Sequence, residues 1–139
     1  MDARTARRLL LPFAILVCSG CGQGRRVPIQ GTVTFDGRAV EEGVIYFDPI
    51  TPGLSGIAPI RAGAFTIPAS KGPTPGKSRV SIQAYEHRGR TEPDEFKPGR
   101  RIAVKDQIIP PEYNDQSKLA VDVSRYGETF HFELESSPQ

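Results

Sequence analysis

From Val27 to Phe35 apolar and polar residues alternate one by one, and this period of two returns at intervals to the end of the chain. Val27, Ile29, Val33 and Phe35 fall on one face with Gly31 between them, while Gln30, Thr32 and Thr34 fall on the other. Successive side chains of a strand point to opposite faces, so this alternation, rich in β-branched residues, specifies a strand with one buried face. Asp36-Gly37 closes it with residues suited to a hairpin turn. Gly43-Val44-Ile45-Tyr46-Phe47 makes a second strand, stopped at Asp48-Pro49 because proline cannot donate to a ladder.

The same reading carries on downstream. Ile50 to Gly56 is a loop, and Ile57 to Arg61 with Ala64 to Pro68 is predicted as a hairpin about Ala62-Gly63. Pro59 assigns the first of these strands to an edge or an irregular position. Lys71 to Gly76 is a proline-glycine turn, after which Val80, Ile82 and Ala84 alternate with Arg79, Ser81 and Gln83. Leu119, Val121 and Val123 form a further strand. Phe130, Phe132 and Leu134 form the last, with His131 and Glu133 facing outwards and residues 136–139 as a tail. Between them, eleven of the twenty-one residues from Glu86 to Asp106 are charged, with Pro93 and Pro98-Gly99. That stretch is expected to be a long, exposed, solvated excursion with a short strand at Ile102-Ala103-Val104. About seven strands and no amphipathic helix predict an all-β sandwich over residues 29–135. Thirteen prolines and fourteen glycines fit a chain with that many turns.

The first twenty residues read differently. Arg4, Arg7 and Arg8 precede an apolar run from Leu9 to Val17, and Ser19 and Gly20 precede Cys21. The run is too short for a helix across ~30 Å of hydrocarbon, so a secretory signal is the reading. Ser19-Gly20-Cys21 resembles the close of a bacterial lipobox, with Cys18 standing where leucine is usual. The expectation is cleavage before Cys21 and lipidation of Cys21, with residues 21–28 as a tether. Plain secretion and a retained anchor are the alternatives. Lipidation would place the domain in the cell envelope, held to a membrane and facing the periplasm or the exterior, by acyl chains that together hold lastingly.

Cys18 and Cys21 are the only cysteines, so the rest of the chain has no disulfide to form and must be stable by packing. The chain carries 18 Lys and Arg against 16 Asp and Glu, and Arg4, Arg7, Arg8 and Asp2 lie in the leader, which leaves the domain neutral. Neutrality gives no electrostatic reason to expect a nucleic-acid partner.

Several of these segments together resemble a known family. Gly31-Thr32-Val33-Thr34-Phe35-Asp36-Gly37, Val40 and Gly43 to Pro49 look like the opening of carboxypeptidase-regulatory-like domains, as carried by small lipoproteins of planctomycete bacteria. Gly63-Ala64-Phe65-Thr66-Ile67 is similar to that family's Gly-x-Phe-x-Leu hairpin. Pro75 to Ile82 is similar to its Pro-Gly-x-Tyr-x-Val-x-Ile strand, with Ser78 in place of the aromatic. Ile109-Pro110-Pro111-Glu112-Tyr113-Asn114, with Ser117 and Leu119, resembles its late Ile-Pro-x-x-Tyr-Asn segment. The resemblance implies a transthyretin-like (prealbumin-like) Greek-key β-sandwich and no assigned activity.

Searching the residues for chemistry finds no constellation. Hydroxyisourate hydrolases of this fold use histidines, an arginine and a terminal Tyr-Arg-Gly-Ser, whereas this chain ends Leu134-Glu135-Ser136-Ser137-Pro138-Gln139. His87 and His131 read as separate surface residues. An intramolecular isopeptide bond lacks a lysine on the first strand, and the sole asparagine, Asn114, lies in a proline-rich segment. Asp94-Glu95 and Asn114-Asp115 are isolated pairs, too sparse for calcium and read as solvated. Gly53-Leu54-Ser55-Gly56 only partly matches a nucleophile elbow. Tyr46 and Tyr113 read as packing residues rather than a sugar-stacking face. The expectation is a non-enzymatic envelope module, without cofactor or metal, that is structural or binds proteins. The alternative is a glycan- or peptide-binding module of the envelope.

Overall fold

The computed structural model describes residues 24–136. Its nine strands are β1 (Ile29–Phe35), β2 (Arg38–Ala39), β3 (Glu42–Pro49), β4 (Gly56–Arg61), β5 (Ala64–Ile67), β6 (Gly76–Pro93), β7 (Arg101–Gln107), β8 (Ala120–Val123) and β9 (Glu128–Leu134). The only helical pieces are single 3-10 turns at Ala69–Lys71 and Pro111–Tyr113.

Two layers follow from the pairing. In the first, β1 lies between β9 and β5, and β2 continues the β5 side past Thr34. In the second, β3 lies between β4 and β6, and β6 is flanked by β8 over its first residues and by β7 over its last. The layers join at one corner, where β4 and β5 share only the Arg61–Ala64 pair around the turn at Ala62-Gly63. Both turn residues there have positive φ, 48° and 77°, as do Asp36 and Gly37 at 48° and 75°. That geometry matches the twist of the flanking strands, which is why Asp-Gly at 36–37 ends β1 so sharply. All pairings are antiparallel except β1 with β9, which run parallel from Ile29–Glu128 to Phe35–Leu134.

The inward residues of each strand make the core. Ile29, Val33, Ile45, Phe47, Ala58, Ile60, Phe65, Ile67, Val80, Ile82, Ala84, Val123, Phe132 and Leu134 are buried at alternate positions of their strands. Phe47 joins the two layers: its ring centroid lies 6.0 Å from Phe65, 5.8 Å from Phe130 and 6.3 Å from Phe132, all three on the facing layer. Each fully buried aromatic or branched aliphatic side chain contributes about 1.5–3 kcal/mol relative to exposure. With no disulfide available, this face-to-face packing is what the sandwich rests on.

Most strand expectations hold, with two differences. The stretch from Glu86 to Asp106 is exposed as expected, and the short strand expected at Ile102-Ala103-Val104 lies within β7, but the stretch is far more regular than an excursion with one short strand. β6 runs on to Pro93 and pairs with β7, with a bulge between His87 and Thr91 where Gly89 has φ 75°, and the two strands make a projecting ribbon. Its residues show no period of two because both faces of the ribbon meet solvent. Counting the ribbon's second strand and the two-residue β2, the total is nine rather than about seven. Pro59 lies on the exposed face of β4 and keeps register with Val44, its strand flanked by β5 only at the corner.

The folded unit begins before Ile29. Val27 is buried and its N–H donates to Pro73 O at 3.1 Å. The Arg26 guanidinium donates to Ser55 O at 3.2 Å and to Gly72 O at 2.8 Å, which straps the incoming chain to two loops at one end of the sandwich. Cys21 and the leader before it, and residues 137–139, lie outside the described residues.

Candidate functional surfaces

The residues singled out for chemistry are dispersed by the fold. His131 is exposed on β9, its Nδ1 2.8 Å from Thr32 Oγ1 on the neighbouring β1. His87 is on β6 at the root of the ribbon, in register with Lys105 of β7. Asp94 serves the ribbon tip: its Oδ1 accepts from Phe96 N at 2.9 Å and its Oδ2 lies 3.7 Å from Arg100. Ser55 is exposed in the β3–β4 loop, where its carbonyl holds Arg26. Among the described residues no three His, Cys, Asp or Glu side chains come together as a metal site would require, and no helix is long and apolar enough to cross a membrane.

Asn114 is a correction to the expected solvated pair. It is buried, donates from Nδ2 to Ile109 O at 2.9 Å, and accepts at Oδ1 from Asp115 N. Ser117, also buried, donates to Val80 O and accepts from Leu119 N. Asn114 thus ties the proline-rich segment after β7 to itself and Ser117 pins it to β6, each saturating backbone groups, which buried polar atoms require. Tyr113 packs half-buried against the core, and its hydroxyl lies 3.4 Å from Glu135 N. Tyr46 is on the other side of β3, where it lines a shallow depression of about 260 Å³ with Arg79, Ser81, Gln83, Asn114 and Asp115. The two tyrosines therefore do not make one stacking face.

A second depression, of about 450 Å³, opens between the β1–β2 turn and the start of the ribbon. Phe35, Val40 and Ile108 give it apolar walls, Tyr85 closes one side, and Asp36, Glu41, Glu42 and Glu86 with Arg38 stand around it. Gln107 shapes this corner: its Oε1 accepts from Ala84 N at 2.9 Å and from Ile109 N at 3.2 Å, which turns the chain out of β7 so that Ile109 is buried and Ile108 is left half-exposed. The sequence reading missed this groove. Its signal was the Ile108-Ile109 doublet, since two adjacent apolar residues in extended chain cannot both face one core.

Electrostatically the best-defined feature is Glu42. Lys105 Nζ lies 2.6 Å from its Oε1, and this hydrogen bond, then the lysine's charge, hold the Glu42 carboxyl below the ordinary glutamate range. Burial opposes the shift slightly, and His87 and Arg61 add to it. No protein family matches the chain, and no curated protein or solved structure matches it either.

Proposed function

We propose that this chain is a lipid-anchored, non-enzymatic domain of the cell envelope, with the transthyretin-like form of the β-sandwich, that works as a structural or protein-interaction module. The observation that carries the reading is Ser19-Gly20-Cys21 at the end of the apolar run Leu9 to Val17, only a few residues upstream of a self-contained β-unit. A sandwich stabilised by packing alone suits an oxidising compartment as well as any other, and its neutral charge suits a protein partner. The ribbon offers such a partner an exposed arm with Phe96 at its tip, 90 % exposed.

The test is the intact mass of the protein purified from its own membranes, beside a Cys21→Ala variant. A mass for a chain starting at Cys21 plus acyl chains, lost in the variant, supports the anchor. An unmodified polypeptide mass overturns it.

The groove beside the β1–β2 turn favours a second reading, as a peptide-binding module. Apolar walls of Phe35, Val40 and Ile108 beneath a mostly acidic rim suit an apolar residue followed by a basic one. Titration of the ¹⁵N-labelled domain with Lys- and Arg-containing apolar peptides checks this reading by shifts at Phe35, Tyr85 and Ile108. Shifts confined to other surfaces, or none, discard it.

A further inference from the structure

Exposed apolar side chains gather at one end of the sandwich. Ile50 and Leu54 stand on the β3–β4 loop, 59 % and 39 % exposed, and Tyr126 on the β8–β9 turn is 83 % exposed. Ile57, one residue into β4, adds a fourth at 54 %. The other exposed large apolar residues among the described ones, Phe96 and Ile102, belong to the ribbon. Single exposed apolar residues need no explanation, but a group at one pole does.

Backbone contacts show that these segments are neighbours. Leu54 N donates to Thr74 Oγ1 and Thr74 N donates to Leu54 O, both at 2.9 Å, and Ile50 N donates to Lys77 O at 2.9 Å. Gly127 lies directly against Pro28, and Glu128 N donates to Pro28 O, so the Tyr126 turn flanks the entering chain because β9 runs parallel to β1.

The chain enters at this same pole. Gly24 packs on Thr74, and Arg26 is clamped to Ser55 O and Gly72 O. Cys21 is three residues before Gly24, a distance the chain spans with at most about 11 Å. With Arg26 clamped there is no slack further on. An acyl-carrying Cys21 would therefore keep this pole, with the Ile50–Leu54 loop and Tyr126, as the end of the domain nearest the lipid.

We propose that this pole is a lipid-docking surface, with Ile50, Leu54 and Tyr126 entering the boundary between headgroups and acyl chains. The inference rests on the reading that Cys21 is lipidated, and it adds an orientation to that reading. Tyrosine favours this boundary because its ring is apolar and its hydroxyl reaches water. Arg25, exposed beside the clamp, is placed for anionic headgroups. β6 starts at this pole beside Thr74 and ends at the ribbon tip, so a docked domain presents Phe96 away from the lipid.

The chain contains no tryptophan, so one introduced residue reports alone. The full-length protein, expressed with its own leader, is reconstituted in phosphatidylethanolamine–phosphatidylglycerol vesicles with and without brominated acyl chains. Leu54→Trp and Tyr126→Trp report the pole; Arg38→Trp, on the β1–β2 turn at the other end, is the comparison. The expected result is a blue-shifted emission that loses most of its intensity to brominated lipid in the two pole variants, with Arg38→Trp unaffected. Intact mass on the same samples reports the acyl chains separately. Acylated protein whose pole variants are quenched no more than Arg38→Trp overturns the docking and leaves the anchor standing. A blue shift without quenching points to a second protein copy or another protein on this pole and also overturns it. Protein without acyl chains overturns both readings, and the mass identifies that case.

Discussion

Lys105 Nζ on β7 lies 2.6 Å from Glu42 Oε1 on β3, and among the described residues this is the ion pair that ties the ribbon to the sandwich. The other two, Arg90 with Asp106 and Arg100 with Asp94, stay within the ribbon. The Glu42 side chain is 60 % exposed and that of Lys105 39 %, so the contact adds little to the stability of the fold.

The Glu42 carboxyl should therefore titrate below the ordinary glutamate range, and Lys105→Ala should raise its midpoint towards that range. A carboxyl lowered in the folded state contributes stability above its unfolded pKa and loses it as pH falls through the lowered folded value. Carbon-detected NMR of the Glu42 side chain reads the midpoint directly. Because the pair is exposed, 1 M salt should weaken the shift as well. A midpoint unmoved by Lys105→Ala contradicts the contact.

Gly31 marks the tightest approach within the first layer. It faces Phe65 across β5 and Phe130 across β9, and a Cβ there would collide with the Phe130 carbonyl and meet Phe65 Cζ at 2.9 Å. Backbone cannot move aside as a flexible side-chain end can, so Gly31→Ala should cost about 3 kcal/mol or more. Gly37→Ala is the comparison: φ is 75° with open space around it, and the conformational cost alone is about 1 kcal/mol. Urea unfolding of the two variants should give that order, and equal losses would remove the steric account.

Ser78 is fully buried on β6, and its Oγ has no hydrogen-bond partner among the described residues. On the neighbouring strands its register partners are Pro49 of β3 and Val121 of β8. An unsatisfied buried hydroxyl costs about 1–3 kcal/mol, so Ser78→Ala should stabilise the domain by about 1 kcal/mol. Ser78→Tyr should destabilise it by overpacking. The check is the urea midpoint at unchanged slope, and a loss in Ser78→Ala would mean that the hydroxyl is satisfied in solution.

The alternation in β1, the first part of β6, β8 and β9 was legible because one face of each is buried and the other is more exposed. What periodicity could not supply was long-range pairing. Nothing local states that β9 lies parallel to β1, about a hundred residues away, although that pairing brings Tyr126 to the entry pole. Asn114 looked like loop polarity because satisfaction of a buried carbonyl is a tertiary fact, visible only once Ile109 is placed.

Apart from Ile102-Ala103-Val104, legible as a short strand and part of β7, the ribbon was illegible for a reason that also predicts its behaviour. Its residues have no buried face, so little pattern marks them as strands, and by the same physics they contribute little to the core. β7 pairs with β6 alone. Replacing residues 88–104 with Asn-Gly would join His87 to Lys105, an existing register pair, through a two-residue turn of the favoured hairpin type. The variant keeps Glu42–Lys105 and the Gln107 corner. Closing the loop more tightly changes chain entropy only slowly with length, so its stability should stay within about 1 kcal/mol of the full chain. Within the ribbon, trypsin should cut the full chain first after Arg100 at the exposed tip, and the shortened chain should lose that fragment while keeping the slower cuts at turns such as that of Arg125. If the shortened domain instead lost several kcal/mol, the ribbon would be part of the stabilising core. If it kept its stability but no longer captured an envelope partner that the full chain captures, the ribbon would be the arm that reaches that partner.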